Sequence, residues 1–78
     1  MLFMKKEEQT IIVSVKGMMC MNCVNHVKEA LEGLKGVKSV HVELKDATAT
    51  IVSNRTIADD EIKNAIMDAG YQFGGRLN

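Results

Sequence analysis

Lys16-Gly17-Met18-Met19-Cys20-Met21-Asn22-Cys23-Val24 marks the point where the apolar period of the chain changes. Before it, Gln9 to Val15 alternates, with Ile11, Val13 and Val15 on one side and Ser14 on the other, as a half-buried strand requires. After it, Val24, Val27, Leu31 and Leu34 recur at helical spacing, opposite Asn25, Lys28, Glu29 and Glu32. Gly17 lets the backbone turn sharply between the two. Both cysteines of the chain and three of its six methionines (Met18, Met19 and Met21) lie in this junction.

Beyond the helix, Gly33 and Gly36 mark the exit, with Gly36 the expected C-terminal stop. Val40, Val42 and Leu44 alternate with Ser39, His41 and Glu43, predicting a second strand. Lys45-Asp46 then turns the chain into an antiparallel partner, Ala47 to Ser53, whose inward set is Ala49 and Ile51. Asn54 to Ala58 reads as a loop. Asp59, Asp60 and Glu61 place negative charge where a helix N-terminus favours it. Ile62, Ala65, Ile66 and Ala69 form the apolar stripe of that second helix, which Gly70 ends. Tyr71 and Phe73 begin a short last strand before a polar tail, Gly74 to Asn78. Residues 1–8, including Lys5-Lys6, have no period and read as a flexible, solvated lead-in to one domain over 9–78. The order of elements predicts an α+β, ferredoxin-like βαββαβ sandwich, a four-stranded antiparallel sheet with two helices on one face.

Composition narrows the function. Ten basic residues balance ten acidic ones, for a formal net charge of zero. Nucleic-acid binding draws most of its affinity from a basic excess, so that class is disfavoured. No run approaches the ~20 apolar residues of a membrane span. Met1 to Lys6 is too short in its apolar part for a signal peptide, and its charges follow that part instead of preceding it. The expectation is a cytoplasmic protein without direct membrane insertion. In that compartment a close cysteine pair is more often metal-binding or redox-active than structural. Asn54-Arg55-Thr56 fits the glycosylation acceptor pattern, which without a secretory signal is taken as chance.

Cys20-x-x-Cys23 can hold a soft metal, supply half of a zinc site, cycle as a dithiol or close a small disulfide. Cys20 before the helix and Cys23 in its first turn lie where N–H groups and the positive dipole end favour thiolates. Two thiolates with no further compulsory ligand suit Cu(I), a soft d¹⁰ ion. A structural zinc site needs four ligands. Of the other typical donors, His26 lies one turn after Cys23 and is within approach of the site, whereas His41 sits mid-strand on the solvent side. A zinc site shared by two chains stays open. A thioredoxin-like role is disfavoured by the small size and by the absence of any proline. A disulfide between residues three apart removes little unfolded-state entropy.

Gly17-Met18-x-Cys20-x-x-Cys23-Val24, with Gly36-Val37 and Asp68-Ala69-Gly70-Tyr71, resembles the heavy-metal-associated domain over about residues 9 to 74. That family includes small copper metallochaperones and the N-terminal domains of copper-transporting P-type ATPases. The resemblance implies that Cys20 and Cys23 bind Cu(I) in a near-linear, solvent-exposed site and pass it on through three-coordinate intermediates shared with a partner's thiolates. It implies that Met18 points into the core and braces the loop, and that Tyr71 sits near the metal. Family domains tuned to zinc or cadmium often carry an acidic residue just before the first cysteine. Met19 stands there in this chain, favouring a soft monovalent ion, and it also departs from the usual Thr or Ser.

Each of these residues also has a plainer reading. Met18 is a gap-filling core residue before it is a ligand. Met19 and Met21 are exposed partner contacts ahead of auxiliary thioether donors. His26 is a solvated helix residue, or a bridge in a dimer, and His41 a surface strand residue. Tyr71 both closes the core and offers a hydroxyl to the site. Taken together, the expectation is a non-enzymatic Cu(I) carrier that exchanges the ion with a copper-transporting P-type ATPase or a copper-responsive regulator. It is expected to be monomeric when metal-free, with a metal-bridged dimer as a loaded form. The bounds of the chain favour a free metallochaperone over an excised ATPase domain. A carrier of Hg(II), Ag(I) or Zn(II), and a thiol–disulfide redox protein, are the alternatives.

Overall fold

In β1 (Gln9–Lys16) the alternation seen in the sequence becomes burial: Ile11, Val13 and Val15 are fully inaccessible, while Ile12 and Ser14 face the other way and are half-exposed. The computed structural model describes residues 8–78, so Lys5-Lys6 and the rest of the expected lead-in before Glu8 lie outside the described residues. After β1 come α1 (Met21–Glu32), β2 (Val37–Glu43), β3 (Thr48–Ser53), α2 (Asp59–Asp68) and β4 (Gln72–Arg76). The strands form one antiparallel sheet in the order β2-β3-β1-β4. This is the expected ferredoxin-like α+β arrangement. Among the described residues no helix is long and apolar enough to cross a membrane.

The register stacks apolar rows across the sheet. Ile11 lies opposite Ile51, which pairs on its other side with Val40; Val13 lies opposite Ala49, which pairs with Val42. The helices close this face with Val27 and Leu31 from α1 and Ile62 and Ile66 from α2. Each such side chain contributes about 1.5–3 kcal/mol by leaving water. A small fold with few aromatics relies on many such aliphatic side chains.

Three local expectations need correction. Gly36 is not the helix stop: α1 ends at Glu32, Gly33 caps it in a right-handed conformation, and the Leu34 amide reaches back to the Leu31 carbonyl at 3.1 Å. Gly36, with φ +86°, instead turns the chain into β2, so Leu34 lies beyond the helix, half-buried against the core. Ala47 belongs to the turn and not to β3. It takes φ +58°, and its carbonyl accepts the Val15 amide at 2.8 Å, tying the turn to the end of β1. The loop of residues 54–58 is found where expected, and it also supplies a core residue, because Ile57 is fully buried.

The supposed polar tail is strand. β4 runs through Gly74 and Gly75 to Arg76, and a bulge at Ser14/Val15 adjusts its register against β1. At Gly74 a Cβ would come within 2.7 Å of the Ser14 hydroxyl oxygen, so only glycine lets the two strands approach this closely. Pairing continues past the strand. The Leu77 amide donates to the Ile12 carbonyl at 2.7 Å, and the Asn78 side chain accepts the Ile12 amide at 3.0 Å and donates to the Thr10 carbonyl at 2.9 Å.

At the end of the sheet near Gln9, Arg55 joins two connections. Its guanidinium donates to the Lys35 carbonyl at 2.8 Å, to the Thr56 carbonyl at 2.9 Å and to the Glu61 carboxylate at 2.8 and 3.4 Å. Glu61 in turn accepts the Ala58 amide at the start of α2. The acidic run therefore serves the helix N-terminus, as expected. The loop of residues 17–20 and the start of α1 lie at the opposite end, beside the β2–β3 turn and the start of β4.

Candidate metal centre

The centre begins where β1 stops. Gly17 takes φ +97°, a left-handed conformation that costs a side-chain-bearing residue roughly 1 kcal/mol or more. Space is not what demands glycine here, since a Cβ would meet only the Tyr71 ring, at an ordinary 3.6 Å. Met18 then turns inward, half-buried against the core. Met19 turns outward and is 86% exposed, and Met21 is 63% exposed.

Cys20 is the N-cap of α1. Its backbone is fully extended, and its carbonyl accepts the Val24 amide at 3.1 Å as the first helical hydrogen bond. Cys23 is thereby the third residue of the helix, within the turn whose amides have no partner inside the helix. The first turn of α1 carries no acidic residue, whereas that of α2 carries three. The positive end of the α1 dipole thus has no carboxylate to neutralise it, and the sulfurs occupy that place.

Both cysteines are free; Cys20 is exposed and Cys23 partly so. Their sulfurs lie 3.5 Å apart, in hydrogen-bond contact. The Cys23 pKa is lowered from 9.0 to about 7. Hydrogen bonding from the Tyr71 hydroxyl is the largest cause, followed by the Met19 backbone amide and the Cys20 thiol, while partial burial opposes them. The converse appears on Tyr71, whose own pKa is raised, chiefly because its proton is engaged with Cys23. The Tyr71 ring packs against the core while its hydroxyl is engaged with the Cys23 sulfur.

The histidines stand apart from this pair. His26 is exposed on α1, and His41 is exposed on β2, 3.2 Å from the Glu43 carboxylate. Among the described residues no three His, Cys, Asp or Glu side chains gather into a set fit to hold a metal ion. The site is thus two sulfurs at the surface, one exposed and one partly exposed, the latter with its pKa lowered to about 7. The contribution of the Met19 amide to the Cys23 thiol leaves no mark in the sequence.

Comparison with known proteins identifies relatives of the whole fold. The heavy-metal-associated domain matches residues 12–72. A copper-binding domain of a P-type ATPase is 34% identical, with a TM-score of 0.80 over 88% of this chain and 93% of its own. The CopZ metallochaperone is 32% identical, with a TM-score of 0.76 over 83% of this chain and 98% of its own. The yeast copper transporter domain Ccc2a, solved in metal-free and Cu(I)-loaded states, is 29% identical, with a TM-score of 0.79 over 88% of this chain and 94% of its own. Comparison with curated proteins gives no match. A match running from β1 to the start of β4, with the cysteine loop inside it, means that this chain belongs to the heavy-metal-associated domain family.

Proposed function

We propose that the protein is a carrier of Cu(I), not an enzyme, and that Cys20 and Cys23 hold the ion as cargo. One observation carries the reading: two thiols in contact at 3.5 Å on an exposed loop, one with its pKa near 7. Thiolates select soft ions, and an ion with low coordination demand is satisfied by two of them. A near-linear site sets its two sulfurs on opposite sides of the ion, so they must part from their 3.5 Å contact, which rotation of the exposed Cys20 side chain permits without moving the core.

Exposure also explains release. An ion on two surface thiolates is open to a third sulfur, so a partner can add a bond before Cys20 or Cys23 gives one up. A copper-transporting P-type ATPase, a copper-responsive regulator or a second copy of this chain can each supply that thiolate. The dithiol must stay reduced to work, which fits the cytoplasm.

The test is an anaerobic titration of the reduced protein with Cu(I) against a competing chelator, repeated with Zn(II). The expected result is one Cu(I) per chain, bound far more tightly than zinc and lost in Cys20→Ser or Cys23→Ser, while circular dichroism shows an unchanged fold. Zinc binding as tight as Cu(I) binding would overturn the Cu(I) assignment. Tight Cu(I) binding that survived both substitutions would place the ligands elsewhere.

A further inference from the structure

Met19 and Met21 flank Cys20 and contribute nothing to the core: both are highly exposed, whereas Met18, one residue earlier, packs against it. An apolar side chain left in water gains little from the hydrophobic effect. Methionine does, however, carry a polarizable thioether sulfur that other apolar residues lack. The backbone decides how these two thioethers are placed. Cys20 has φ −157° and ψ 175°, so residues 19 and 21 project to one side of the chain and the Cys20 side chain to the other. Two residues of extended chain set them about 6.6 Å apart. Two side chains with three rotatable bonds each are long enough to close that gap onto one ion.

We propose that Met19 and Met21 form a second soft-cation site, which takes a monovalent d¹⁰ ion, Cu(I) or Ag(I), between two neutral thioethers. Thioethers select soft ions over Zn(II) and similar divalent ions. Because they carry no charge, they hold the ion more weakly than the dithiolate does. The pair lies one residue to either side of Cys20, on the opposite side of the chain from its thiol, and so forms a site separate from the dithiol.

The experiment titrates Ag(I) into the Cys20→Ser/Cys23→Ser double variant and follows the methionine ε-methyl signals by NMR. The Met19 and Met21 methyls should shift together. Met67, 52% exposed on α2 with no methionine near it in sequence, should stay in place. Adding Met19→Leu should abolish the Met21 shift. Methyls that stay still, a Met67 that moves equally, or a Met21 that responds without Met19 would each overturn the paired site; still methyls would leave the two side chains as protein contacts. The dithiol reading is judged separately in the reduced wild-type chain, where the first equivalent should move the Cys20 and Cys23 signals and the second the two methyls. If the first equivalent leaves the cysteines unmoved while the methyls of the serine variant respond, the dithiol assignment fails and the thioether site stands.

Discussion

Replacing Tyr71 with Phe tests the electrostatics of the centre without emptying the core, because the ring that packs there is kept. Tyr71 is the largest cause of the Cys23 pKa falling from 9.0 to about 7. At pH 7 a thiol with the lower value is about half ionised, and one with the higher value only about 1%, so the full effect is about 50-fold in thiolate. Tyr71→Phe should remove a several-fold share of that, the amides of Met19 and Cys20 and the Cys20 thiol retaining the rest. The rate at a single pH understates the change, because a thiolate of higher pKa is intrinsically more nucleophilic, by roughly 8-fold over this range at a Brønsted slope near 0.45. The readout is therefore the pH midpoint of Cys23 alkylation, followed by mass spectrometry at low labelling. It should move up from about 7 toward 9.0, with circular dichroism unchanged. A midpoint that stays put would refute the role given to the hydroxyl. The sign also fixes a linkage: the contribution of the Cys23 thiolate to stability is full above 9.0 and is lost as the pH falls through about 7.

Three substitutions test the scaffold. Ile57→Ala empties a fully buried position and should cost about 2–5 kcal/mol in denaturant unfolding; a change of a few tenths would mean that the loop of residues 54–58 does not seal the core. Gly74→Ala drives a methyl against the Ser14 side chain and should cost about 1–3 kcal/mol, visible as a lower melting temperature and faster amide exchange in β4. An unchanged exchange pattern would show that the bulge absorbs the methyl. Met18→Ala, at a half-buried position, should cost about 1–2 kcal/mol, less than a fully buried methionine; an unchanged melting temperature would deny it the bracing role.

Periodicity made the main elements legible in the sequence, because an element that buries one face must repeat at its own spacing. Ile11, Val13 and Val15 on β1, Val24, Val27 and Leu31 on α1, and Ala49 and Ile51 on β3 were all expected inside and are buried. Cys20 and Cys23 were equally plain as residues, since their spacing at a strand-to-helix junction places both thiols at a helix N-terminus. Contacts between segments distant in sequence have no period, and only the tertiary structure decided them. Ile57 is core although it lies in a loop without any apolar period of its own. Gly74 to Arg76 are strand because β1 offers them an edge, even though Gly-Gly-Arg has no strand propensity of its own. The difference between a pair of cysteines and a poised thiolate is of the same kind: Tyr71 lies far along the chain from Cys23, and only the closing of β4 against β1 brings its hydroxyl to the sulfur.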